Sequence, residues 1–137
     1  MALTEIRQAV QDELAADMAP IAFWAGRIDG PVEDRDVGCV WVNTLAPTDD
    51  VIVQAIDVRV RVFKLWRQPD SYPALDTSVL EDLAEQIQAA LNDLRVAAAI
   101  RDAGAWFLQD MPSVEIDPET WGVEASVIAL RHSPFHA

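Results

Sequence analysis

Apolar residues at Leu3, Ile6, Val10, Leu14 and Met18 recur at intervals of three and four, which gathers them on one side of a helix. Pro20 ends that helix, because proline has no amide hydrogen and its ring clashes with the preceding turn. The period then changes. Residues 21–28 ("IAFWAGRI") and 37–43 ("VGCVWVN") read as strands, and the intervening "DGPVEDRD" is a turn-rich stretch. The expected arrangement is two antiparallel strands joined by a long hairpin loop. In the third strand Ile56, Val58, Val60 and Val62 fall on one side and Asp57, Arg59 and Arg61 on the other. That alternation belongs to a sheet with one covered face. Val51 and Val53 are in the opposite phase, and the phase changes again at Phe63 and Leu65. A bulge or bend is therefore predicted, since a one-residue slip moves every side chain to the other face.

After "RQPDSYPALD" the helical period returns. Leu80, Leu83, Ile87, Leu91 and Leu94 form an apolar stripe, and Ser78 with Glu81 makes a capping-box pattern at its start. This helix is expected to pack on the valine face and to leave Glu81, Asp82, Glu85, Gln88 and Asn92 to solvent. Beyond Gly104, "AWFLQDM" and "SVEIDPETWGVEASVIALR" supply two more strands, the second alternating Val123, Ala125 and Val127 with Glu124 and Ser126. The order is helix, three strands, helix, two strands. It predicts an α+β fold: a mostly antiparallel sheet of about five strands with two main helices packed on one face. There is no internal repeat or domain linker, so residues 1–137 are read as one domain.

Composition narrows the function. A chain of 137 residues with 51% hydrophobic residues can bury roughly two-thirds of its unfolded surface, so the net charge of −13 does not imply disorder. The 23 acids against 10 basic residues repel nucleic-acid phosphates and anionic lipids. The acidic opening does not read as a signal peptide, and no apolar run has membrane-spanning length, so a cytoplasmic site of synthesis and no membrane partner are expected. Cys39 alone allows no internal disulfide and reads as a small apolar strand residue.

Candidate chemistry is sparse. The glycines match no phosphate-binding fingerprint, and His132 and His136 lie in the C-terminal stretch, away from an obvious nucleophile. The carboxylates at Glu33, Asp34 and Asp36, at Asp49 and Asp50, and at Glu115, Asp117 and Glu119 do not follow calcium-loop spacing. No catalytic, cofactor or metal residue is assigned, and an enzyme is not expected. Of the five tryptophans, about three are expected in the core. Trp66 and Trp121 are the candidates for an interface, where aromatic anchors concentrate.

One basic stripe stands out in this acidic chain. Arg59, Arg61, Lys64 and Arg67, four of the 10 basic residues, fall within nine positions. Two readings are open. The arginines can pair within the sheet with acids such as Asp57 or Glu124, or the stripe can meet acids of a neighbouring copy, in a head-to-tail contact that closes into a ring.

The strand "VIVQAIDVRVRVFKLW", the helix "TSVLEDLAEQIQAALNDL", the closing "TWGVEASVIALR" and the leading helix "LTEIRQAVQDELAADM" together resemble the tail terminator proteins of long-tailed bacteriophages and phage-like particles. The likeness rests on length, element order and alternation over nearly the whole chain. Such a protein is a structural virion component: a ring, usually hexameric, that caps the tail tube, stops its polymerisation and offers a docking surface to the head. The resemblance implies a homo-oligomer, a tail tube protein and a head–tail connector or stopper as partners, DNA passing through the lumen without specific binding, and a place in the virion neck after assembly in the host cytoplasm. No cofactor is implied. Arg59, Arg61, Lys64, Trp66, Arg67, Trp121 and Glu124 are the expected subunit interface. Asn43, Thr48, Asp49, Asp50, Gln68, Asp70 and Tyr72 are the expected contacts to tube or connector. Another neck protein and an acidic DNA-mimicking inhibitor are the alternatives.

Overall fold

The computed structural model of the chain describes residues 3–32, 35–44, 53–64, 78–95, 97–108 and 112–132. Within them the chain forms helix α1 (Leu3–Asp17), strands β1 (Ala22–Ala25), β2 (Val37–Thr44) and β3 (Val53–Phe63), helices α2 (Ser78–Leu94) and α3 (Ala98–Asp102), and strands β4 (Ala105–Phe107), β5 (Ser113–Asp117) and β6 (Gly122–His132). The described strands make one sheet in the order β1-β2-β3-β6-β4, with β5 also paired to β6. The fold is α+β and mostly antiparallel, with both long helices on one face.

Each helix buries the stripe its sequence predicts. Ile6, Val10 and Leu14 of α1 are buried, as are Leu80, Leu83, Ile87, Leu91 and Leu94 of α2. They meet one sheet face on which the register aligns Val40, Val60 and Ala125 in one cross-strand row and Val58 with Val127 in the next. The sheet contributes mainly valine and alanine and the helices leucine and isoleucine, so small and large side chains meet across the core. Arg131, near the end of β6, is an exception on this side. It is buried, and its Nε and Nη2 both donate to Gln54 Oε1, at 2.9 and 2.6 Å. Burial lowers its pKa from the ordinary value.

The first expected hairpin does not form. β1 pairs with β2 in parallel, Ala22 with Val37 through Ala25 with Val40. Gly26 takes φ +88°, a conformation that glycine adopts without a Cβ penalty, and turns the chain out of the strand. The following segment lies on the face opposite α1 and α2: Ile28 N donates to Cys39 Sγ at 3.3 Å, and Arg61 Nη1 donates to Ile28 O at 3.3 Å. β2 then runs in the same direction as β1.

Two further expectations change. β3 has no bulge between Val53 and Phe63, because it pairs residue for residue with β6 throughout and with β2 from Phe63 back to Ile56. Val53 and Phe63 are apolar residues on the same side as the arginines. Phe63 is buried there with its ring over its cross-strand partner Gly122, where an added Cβ would approach to 2.6 Å. The last predicted strand is two: β5 and β6 form a hairpin turned at residues 118–121, with Glu119 N donating to Asp117 Oδ1 and Trp121 at φ +56°. The described sheet accordingly has six strands, and the short α3 is an element the apolar pattern does not signal.

A candidate interaction face

The alternation that directs Ile56, Val58, Val60 and Val62 toward the helices directs Asp57, Arg59 and Arg61 to the opposite side. Across the sheet the register adds Trp24 from β1, Cys39, Trp41 and Asn43 from β2, Glu124 and Ser126 from β6, and Glu115 from β5. Neither α1 nor α2 covers this face.

Its centre is a chain of ion pairs. Arg59 Nε bonds Asp57 Oδ2 at 2.7 Å, and Arg59 Nη1 reaches Glu124 Oε2 at 3.4 Å. Arg61 Nε bonds the other oxygen, Glu124 Oε1, at 2.6 Å, and its Nη1 lies 3.8 Å from Asp29. Glu124 therefore bridges two guanidinium groups that would otherwise repel each other. Arg61 also stacks over the indole of Trp41, with 5.3 Å from guanidinium carbon to ring centroid, a cation–π contact. Asp57 is only 6% exposed, and its Oδ1 has no hydrogen-bond partner among the described residues, so the Arg59 bond has to offset the cost of that buried acceptor. The same bond raises the pKa of Arg59, which stays charged throughout the accessible range. Beside this network Cys39 is fully buried under the segment after Gly26, and burial raises its thiol pKa above the ordinary 9.0.

The intramolecular reading of the basic stripe thus describes Arg59 and Arg61 within one chain. Lys64 stands at the end of β3 and pairs with Asp36 at 3.1 Å, while its backbone N donates to Trp121 O at 3.1 Å. Of the expected interface, Arg59, Arg61 and Glu124 come together on the open face, and Lys64 and Trp121 adjoin at one end of the sheet. Asn43 is exposed near the end of β2, in register with Asp57. Trp66, Arg67, Thr48, Asp49, Asp50, Gln68, Asp70 and Tyr72 lie outside the described residues.

The tryptophans depart from expectation. None of the four described is fully buried: Trp24 is 56% exposed, Trp106 is 37% exposed, and Trp41 and Trp121 are half-buried, the last packed against the core. Short sheet side chains and long helix side chains fill the interior, leaving the large rings to edges and turns. Trp106 meets His132 edge to face, with 5.4 Å between centroids. Sequence reasoning missed Trp24, Trp41 and Asp29 as parts of this face. The alternate spacing of Cys39, Trp41 and Asn43 was a usable signal for one of them.

Two grooves beside the ion pairs of this face are small. About 200 Å³ opens between Arg61, Glu115 and Thr120, and about 120 Å³ between Arg59, Ser113 and Ser126, both below the usual size of a small-molecule site. A wider cleft of about 540 Å³ lies elsewhere, where Met18 and Pro20 face Asp36, Lys64 and Asp93. Among the described residues no three metal-ligating side chains converge, and no helix is long and apolar enough to cross a membrane. Comparison with protein-family models and with curated proteins finds no match.

Proposed function

We propose that the chain is a structural protein that assembles with copies of itself into a ring, caps the tail tube of a long-tailed phage or phage-like particle and offers a docking surface to the head. The observation that supports this best is the sheet face that α1 and α2 leave uncovered. Its charges are already ordered by mutual pairing, which lowers the entropy lost on docking, and exposed indoles stand on its outer strands, in the manner of interface anchors. Preordered charges set register and exclude wrong partners more than they add affinity. The mechanism is steric: a closed ring on the tube end removes the surface on which the next tube subunit would add.

The test is polymerisation of a purified tail tube protein with and without this chain, followed by electron microscopy. Annular particles at tube ends and arrested growth are expected. Bare ends and unchanged tube lengths would reject the proposal.

A second reading is favoured by one specific observation. The solvent sides of α1 and α2 carry Glu5, Asp12, Asp17, Glu81, Asp82 and Glu85, none of which forms an ion pair among the described residues. In the ring reading such a layer keeps passing DNA from adhering, because adhesion depends on basic contacts. In an inhibitor that mimics DNA, the layer would itself bind a basic enzyme, with affinity falling steeply as salt rises.

A further inference from the structure

The two outer edges of the sheet differ in character. Of the five large apolar side chains exposed by more than a third among the described residues, three stand on outermost strands: Trp24 on β1, Ile116 on β5 and Trp106 on β4. Just after β1 comes Arg27, whose pair with Asp29 spans 3.4 Å with both side chains well exposed. An exposed pair of that kind exchanges partners at little cost. On the opposite edge Glu115 and Asp117 stand on the open side of β5, in register with Glu124 and Gly122, whereas Ile116, in register with the buried Val123, is on the helix side. Both acids are exposed, and neither forms an ion pair among the described residues.

Register relates the two edges. Trp24 pairs with Cys39, Cys39 with Arg61, Arg61 with Glu124 and Glu124 with Glu115. A single cross-strand row therefore has Trp24 at one end and Glu115 at the other. When copies stand side by side at one height, as in a closed ring, the end of that row in one copy comes to the start of the same row in the next.

We infer that these edges are the two halves of one heterologous contact between copies of this chain, in which Trp24 and Arg27 of one copy meet Glu115 and Asp117 of its neighbour. The inference rests on the ring reading and moves the contact away from the Arg59–Arg61 stripe, whose charges are satisfied within the protomer. The contact is made by side chains. Gln11 Nε2 already donates to Phe23 O at 2.7 Å, which occupies a main-chain acceptor of β1 and blunts that edge against strand addition. An exposed indole beside complementary charges gives such a contact both affinity and direction, and a surface that matches a different surface on the same molecule generates a ring or a filament rather than a two-fold dimer.

The test is a charge swap read by sedimentation velocity over a concentration series of the full chain, alone and with tail tubes. Arg27→Glu is expected to weaken self-association at least tenfold, as is Glu115→Lys with Asp117→Lys. The combined triple variant should recover assembly, and Trp24→Ser should weaken it without rescue by any charge change. All the sites are exposed, and near-ultraviolet circular dichroism confirms that each variant is folded. Assembly of Arg27→Glu at the wild-type level, or a triple variant no better than the single, would overturn the inference while the ring reading stands. A wild-type chain that stays single with and without tubes would overturn both.

Discussion

The two faces of one sheet use the same strands for different ends. On the helix side, Val58, Val60, Ala125 and Val127 are interchangeable in kind, and what matters is the volume they leave for Leu83, Ile87 and Leu91. On the open side each partner is specified: Arg59 needs Asp57, and Arg61 needs both Glu124 and the face of Trp41. The first face supplies stability through area removed from water. The second supplies little net stability, since partly exposed ion pairs are nearly balanced by their desolvation, but it fixes an arrangement of charge. The difference predicts unequal penalties for changes on the two sides.

The largest loss is expected on the covered side. Leu91→Ala removes a buried side chain from the last turn of α2 and should lower unfolding free energy by about 2–5 kcal/mol, measured by urea denaturation. Next comes Gly38→Ala, where the new Cβ would sit 2.5 Å from the Phe23 ring. The ring or the strand has to move, at a cost of about 1–3 kcal/mol, and Phe23→Leu in the same chain should recover part of it. On the open side, Glu124→Gln should cost less, about 1–2 kcal/mol. Raising the salt concentration should shrink that difference, whereas salt should leave the Leu91→Ala difference unchanged. If Glu124→Gln destabilised as much as Leu91→Ala, the contrast between the faces would fail.

The smallest effect concerns pH. Burial raises the Cys39 thiol above 9.0, so the folded chain holds that proton more tightly than the unfolded chain. The contribution is fully present below the unfolded value and is lost as pH rises through the folded one. Stability should therefore fall above about pH 9 in the wild type, and Cys39→Ala should remove that part of the slope. A thiol reagent that labels folded Cys39 as fast as the unfolded chain would contradict its burial.

Much of the covered face was legible in the sequence, because burial on one side imposes a period. Leu3 through Leu14 and Leu80 through Leu94 announce helices, and the valines of β3 announce the face they meet. The pairing of Arg59 and Arg61 with Asp57 and Glu124 was legible as one of two alternatives, since cross-strand neighbours are set once alternation is known. What periodicity could not supply was path. The parallel pairing of β1 depends on the course of the segment after Gly26, and the anchors of Ile28, Cys39 Sγ and the Arg61 guanidinium, are on later strands. The β5–β6 hairpin had its turn residues in view at Asp117, Pro118 and Gly122, but apolar residues on both sides made the stretch read as one strand. Apolar Val53 and Phe63 suggested a bulge because cover for the open side, such as Phe63 gains from Gly122, arises only once the strands are paired. Tryptophan position was least legible: size suggests the core, and only the packed sheet reveals how little room its valines and helix leucines leave.

The proposed ring requires self-association through side-by-side copies, which would appear in the molar mass of the chain in solution. Light scattering on the purified chain, alone and after incubation with tail tubes, should give a mass that is a fixed multiple of the monomer in at least one of the two conditions. A single-chain mass in both, at every concentration up to the solubility limit, would contradict it.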